Sequence, residues 1–147
     1  MKVTKEILSN VILPLLVGGI IYIAFRSQSI RMFNWFERIK INSIIYWLRS
    51  MIHPFKKKTP KWFYFSLPDG LWVYSFSSAY FLIWRESFKV ALFWLIIPTT
   101  SGCLVELAQL LNLFPGTFDI MDFVMALSGV TLSIIKFKKR NYEKKVF

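Results

Sequence analysis

The chain has 147 residues, room for one domain, and 55% of them are hydrophobic and 18% aromatic. Its mean hydropathy of +0.47 is more apolar surface than the interior of so small a soluble domain can hold. Nineteen Lys and Arg stand against eight Asp and Glu, and they flank greasy segments instead of coating a polar face, which points to a multi-pass membrane protein and away from a nucleic-acid binder.

Lys2 and Lys5 precede an apolar run, Ile7–Phe25, in which only Ser9 and Asn10 are strongly polar. The run imitates a secretory signal. It is too long for a typical signal core, however, and no small-x-small site closes it, so it reads as a retained first span. A basic connection follows, from Arg26 to Ser66. Over residues 29–52 the pattern SIRMFNWFERIKINSIIYWLRSMI places Arg31, Asn34, Arg38, Asn42 and Arg49 on one side of a helical wheel. That predicts one amphipathic helix lying in the headgroup region. Residues 53–66 form a linker. Lys56, Lys57, Lys58 and Lys61 make a polybasic patch in it, and Trp62-Phe63-Tyr64-Phe65 an aromatic anchor. Arg31, Arg38, Arg49 and the four lysines are candidate contacts for anionic lipid headgroups; simple anchoring is the plainer reading of the same residues. His53 is the single histidine and precedes a proline in this solvated stretch.

The second predicted span is 67–84, its start marked by Pro68 and Gly70. The third is 90–113, with a kink expected at Pro98. The fourth is 118–137, followed by a basic tail over 138–147. The short Arg85–Lys89 turn makes spans two and three a hairpin, and Pro115-Gly116 turns span three into span four. The expected fold is all-α: a single-domain integral membrane bundle of four transmembrane helices, with an interfacial amphipathic helix between spans one and two. Orientation stays open, because ten Lys and Arg fall on one side of this topology and nine on the other. Cys103, alone, has no internal disulfide partner and reads as a small packing residue.

The acids are the unusual feature. Asp69 opens span two, Glu106 and Gln109 lie near the end of span three, and Asp119 and Asp122 open span four. An up-and-down arrangement brings all five to one membrane face. Asp122, Ala126, Gly129 and Ser133 fall on one stripe of span four, small enough for close helix packing in lipid. A carboxylate at mid-membrane costs about 2.5–3.5 kcal/mol on insertion scales, less near an interface. Asp69 and Asp119 fit helix-capping roles. Glu106 sits near a helix C-terminus, where the dipole disfavours a negative charge, and needs a partner. A proton, a basic residue, a cation, a ligand's ammonium, or a hydrogen bond to Gln109 or a neighbouring helix would each serve.

At these residues the chain resembles the VanZ-like membrane protein family, whose best-known member is associated with resistance to teicoplanin-type antibiotics. Glu106 and Gln109 match the family's Glu-x-x-Gln, Pro115-Gly116 its turn, Asp122 and Gly129 its Asp-x-x-x-Asn-x-x-Gly, and Asp69 an earlier aspartate. The match covers about Leu67 to Ile135. It departs at three places. The turn FPGTFD lacks the family's arginine, Ala126 stands at its asparagine, and Gly70-Leu71-Trp72-Val73 stands where a Lys-x-x-His is usual. With the arginine missing, Lys56–Lys58, Lys61 or His53 is expected to answer the acids. The resemblance implies a multi-pass protein of the bacterial cytoplasmic membrane.

No nucleophile–base pair, Cys/His metal spacing or phosphate loop is present, so neither an enzyme nor a cofactor is specified. Glu106, Asp119, Asp122 and Asp69 are hard oxygen ligands that a divalent cation would accept. Three functions fit: a VanZ-like envelope protein whose acidic cluster binds a lipid headgroup, amphiphile or cation; a structural subunit of a membrane complex or homo-oligomer; and an ion- or proton-conducting or defence-type effector. Membrane lipids are the expected partners.

Overall fold

Helix formation begins almost at once and runs the length of the first apolar segment. The computed structural model describes residues 2–27, 31–113 and 118–146; Ser29 and the Pro115-Gly116 turn lie outside them. All regular structure among the described residues is helical. Helix α1 (Lys2–Ile7), a π-helical segment (Leu8–Ile12) and α2 (Leu13–Phe25) follow one another without a break. Pro14 has no N–H to give the carbonyl of Asn10, and the wider π turn lies just before it. The helix reaches further toward the N-terminus than the apolar run alone indicates, because Lys5 and Glu6 do not disfavour helix.

The predicted single amphipathic helix over 29–52 is instead two helices, α3 (Arg31–Arg38) and α4 (Asn42–Lys56). The break is a Schellman closure. Lys40 adopts φ 59°, its N–H donates to Glu37 O, and the Ile41 N–H donates back to Phe36 O. The linker prediction also shifts, since α4 runs through Pro54 to Lys56 and Lys61–Phe65 forms a short helix, α5. Helix α6 is Leu67–Ile83. The third segment is two helices, α7 (Phe88–Trp94) and α8 (Ile96–Leu110), with Ser87 capping the first. They break at Leu95, inside the turn before Pro98, where a proline ring crowds the preceding carbonyls. Asn112, at φ 56°, closes α8 by the same Schellman pattern, with Asn112 N–H to Gln109 O and Leu113 N–H to Ala108 O. The last helix, α9, is Ile120–Val146.

Three helical stretches are long and apolar enough to cross a membrane: Val3–Phe25, Phe88–Leu110 and Ile120–Lys139. The second predicted span, α6, is not among them, because it is only 17 residues long. Its sequence spends positions on Asp69, Gly70, Ser75, Ser77 and Ser78. Yet α6 is the centre of the bundle, packed by α2 on one side and α9 on another, with α5, α7 and α8 around it.

The packing is inside-out. Buried positions include Asn10, Ser66, Ser75, Ser77, Ser78 and Ser133, while Leu8, Leu13, Leu16, Ile20, Phe93, Leu104, Leu132 and Ile135 are exposed. A water-soluble bundle would place these the other way round. In lipid, helices associate through small residues and hydrogen bonds, and leave their apolar side chains to the acyl chains. The α6–α9 contact follows that rule. A Cβ on Gly129 would overlap Gly70 O and lie 3.0 Å from Tyr74 N, and one on Gly70 would lie 2.8 Å from Met125 O. Ala126 and Ser133 are buried along the same stripe of α9. The contact of α6 with the π-helical segment and α2 is polar: Tyr74 Oη donates to Asn10 Oδ1 (3.0 Å), Ser75 Oγ to Val11 O (2.7 Å) and Trp72 Nε1 to Leu15 O (3.3 Å).

Candidate functional site

The acids assemble where α8 ends and α9 begins. Asp119 precedes the first residue of α9, and its Oδ1 accepts from Met121 N–H at 2.9 Å, an N-cap. Glu106, one turn before the end of α8, is buried, and its Oε2 accepts the Asp119 N–H at 3.1 Å. The partner that sequence reasoning left open is therefore a neighbouring helix N-terminus. The carboxylate is placed badly for its own helix dipole and well for that of α9. This corrects the expectation that Lys56–Lys58, Lys61 or His53 answers Glu106. Lys56 Nζ instead donates to Phe25 O at 3.3 Å, and the sole ion pair among the described residues is Arg85–Glu86.

Asp69, Glu106 and Asp122 line one open cavity of about 340 Å³. The other walls are Trp72, Val73 and Phe76 of α6, Pro98, Ser101 and Val105 of α8, and Ala126 of α9. On α6 and α9 the walls fall at helical spacing from the acids, 72, 73 and 76 from Asp69 and 126 from Asp122, and that periodicity is their sequence signal. On α8 the stripe 98, 101, 105 lies beside the face of Glu106, so the acid gives no such signal there. Asp119 and Gln109 do not line the cavity; Gln109 is half-buried on α8. Asp122 Oδ1 is shut off from solvent without a hydrogen-bond partner among the described residues. Among the described residues no three His, Cys, Asp or Glu side chains are grouped to hold a metal ion, so Glu106, Asp119 and Asp122 do not form the cation cage that their chemistry allows.

No family model, curated protein or solved structure matches the chain.

One basic residue that the sequence reading passed over, Arg26, has contacts of its own. Arg26 caps the end of α2 in extended backbone. Its guanidinium lies 5.0 Å from the Tyr22 ring centre and 4.9 Å from that of Phe65, and its Nε is buried without a hydrogen-bond partner among the described residues. The signal was its place as the first charge after a span. The headgroup candidates divide. Arg49 Nη1 donates to Ile23 O at 2.6 Å and stacks over Phe33 at 5.1 Å. With Lys56 it satisfies the last carbonyls of α2 and complements the negative end of that helix. Arg38, Lys57, Lys58 and Lys61 are exposed; the side chain of Arg31 lies outside the described set.

Proposed function

We propose that this is a VanZ-like multi-pass protein of the bacterial cytoplasmic membrane whose acidic cavity binds the cationic head of an amphiphile. The observation that carries the reading is the cavity itself: three carboxylates from three helices at one end, aromatic and aliphatic walls along the rest. Its volume, about 340 Å³, falls at the lower end of the roughly 300–1,000 Å³ usual for small-molecule sites. An ammonium head would pair with the carboxylates of Asp122 and Asp69, which line the cavity. An alkyl chain would lie along Trp72, Phe76 and Val105. Lipid amines and cationic antibiotics or surfactants share that chemistry.

The same reading makes α6 a fourth, short span. Its 17 residues reach about 26 Å at about 1.5 Å per residue, slightly under a hydrocarbon core of about 30 Å. Local thinning accommodates such a mismatch at modest cost. Aromatic clusters stand at both of its ends, Tyr64 stacked on Phe25 at one and Trp84 stacked on Trp94 at the other, as at two membrane interfaces. Helices α3 and α4 then lie along the face where α2 ends.

The test is ligand-induced thermal stabilisation of the purified protein in a neutral detergent. Dodecylammonium is expected to raise the melting temperature, dodecyl sulfate is not, and Asp122→Asn is expected to remove the response. Equal shifts from the two surfactants, or an unchanged response in the variant, would refute the reading.

A further inference from the structure

Helix α4 presents three distinct faces, and only one of them is covered by protein. Ile45 is buried, Ile52 packs on the Ala24–Phe25–Tyr64 cluster, and Arg49 and Lys56 reach the carbonyls of Ile23 and Phe25. These positions, 45, 49, 52 and 56, form one stripe at i, i+4, i+7, i+11. A second stripe, Ile44, Trp47, Met51 and Phe55, runs at i, i+3, i+7, i+11, and each of its side chains is more than half exposed. The third face carries Ser43, Tyr46, Ser50, His53 and Lys57, all exposed. Trp35 and Ile39, one turn apart at the end of α3, extend the apolar exposure.

The first stripe fixes where the helix is. Two side chains of α4 hold the terminal carbonyls of α2, so α4 lies at the level at which the first membrane-crossing helix ends. At that level an uncovered apolar stripe beside a polar face suits a helix set into the headgroup–acyl boundary. Charge decides which boundary. Between Arg26 and Ser66 there are nine Lys and Arg and one acid, Glu37, and Arg38, Lys57, Lys58 and Lys61 are exposed around the stripe.

We infer that α3, α4 and the Lys57–Lys61 turn form a docking surface for the anionic leaflet of the bilayer that the protein spans. Ile44, Trp47, Met51 and Phe55 enter the acyl boundary, and Arg38, Lys57, Lys58 and Lys61 hold acidic headgroups. Each exposed cation near an acidic leaflet contributes on the order of 1 kcal/mol, so the group acts together. The inference rests on the membrane-spanning reading above. It is independent of the acidic cavity.

The experiment is hydrogen–deuterium exchange of the full chain in nanodiscs of phosphatidylcholine alone and of phosphatidylcholine with a third of phosphatidylglycerol. Exchange over 31–61 is expected to slow several-fold with the anionic lipid. The triple variant Lys57→Gln/Lys58→Gln/Lys61→Gln, which keeps the Arg49 and Lys56 contacts, is expected to lose that difference. Identical exchange in the two nanodiscs would overturn the inference, as would a difference that survives the triple variant. Equal slowing by soluble polyglutamate would overturn it too, assigning the face to an acidic protein. Fast exchange across α6 and α9 in both nanodiscs would instead reject the membrane-spanning reading beneath it.

Discussion

Glu106 joins two helices by one hydrogen bond, and the energetics of that bond separate its two possible jobs. Its Oε2 holds the N–H of Asp119, which in turn caps α9. Losing the acceptor strands a part-buried donor, at a cost of about 1–3 kcal/mol. Glu106→Ala is therefore expected to lower the unfolding free energy in detergent by about that amount, whereas Glu106→Gln, which keeps an acceptor oxygen, is expected to retain most of it. If the glutamine variant falls as far as alanine, the negative charge at the start of α9 matters more than the hydrogen bond. That Glu106 needed a partner was legible, because a carboxylate near a helix C-terminus in an apolar segment is costly. Which partner was not, since a backbone N–H has no side-chain signature. Arg26 was missed for a related reason: its charge was counted as part of a basic connection, while its position at the end of α2 sets its contacts.

At the scale of elements, one kind of helix end and one kind of helix contact govern the architecture. Asn112 and Lys40 both close helices in the left-handed region. Asparagine tolerates that conformation, and lysine does so only at a cost of about 1–2 kcal/mol. The α3–α4 break was therefore unreadable from a wheel that fits residues 29–52 as one helix. Lys40→Gly is expected to stabilise the protein by about 0.5–1 kcal/mol in chemical unfolding, with no gain from Lys40→Ala. A gain from alanine would show that the charge, and not the backbone, is the source. Between helices the decisive contact is α6 on α9. Gly129→Ala drives a methyl group into Gly70 O and is expected to cost about 1–3 kcal/mol, since a backbone neighbour cannot step aside as a flexible side chain can. A neutral result would mean that the two helices separate freely. The small-residue stripe of Ala126, Gly129 and Ser133 was legible because in lipid small residues mark where helices meet. The partner surface on α6 was less so, because Gly70 reads as a helix-start signal.

For the whole molecule, the claim on which the rest depends is that α6 crosses the bilayer. The all-helical class and three of the spans follow from long apolar runs, which need no knowledge of packing. Helix α6 is the hard case. It is short, rich in serine and buried by its neighbours, so the features that make it the bundle's centre also weaken its hydropathy signal. If it crosses, the chain passes through the membrane four times, and Asp69 comes to the same face as Glu106, Asp119 and Asp122. If it does not, three crossings remain and the two ends of the chain lie on opposite sides. The most direct measurement is the sidedness of the two ends in intact membrane vesicles. It is read by membrane-impermeant maleimide labelling of single cysteines added at each terminus in a Cys103→Ser background. Four crossings predict that both ends label from the same side; labelling from opposite sides would contradict the account.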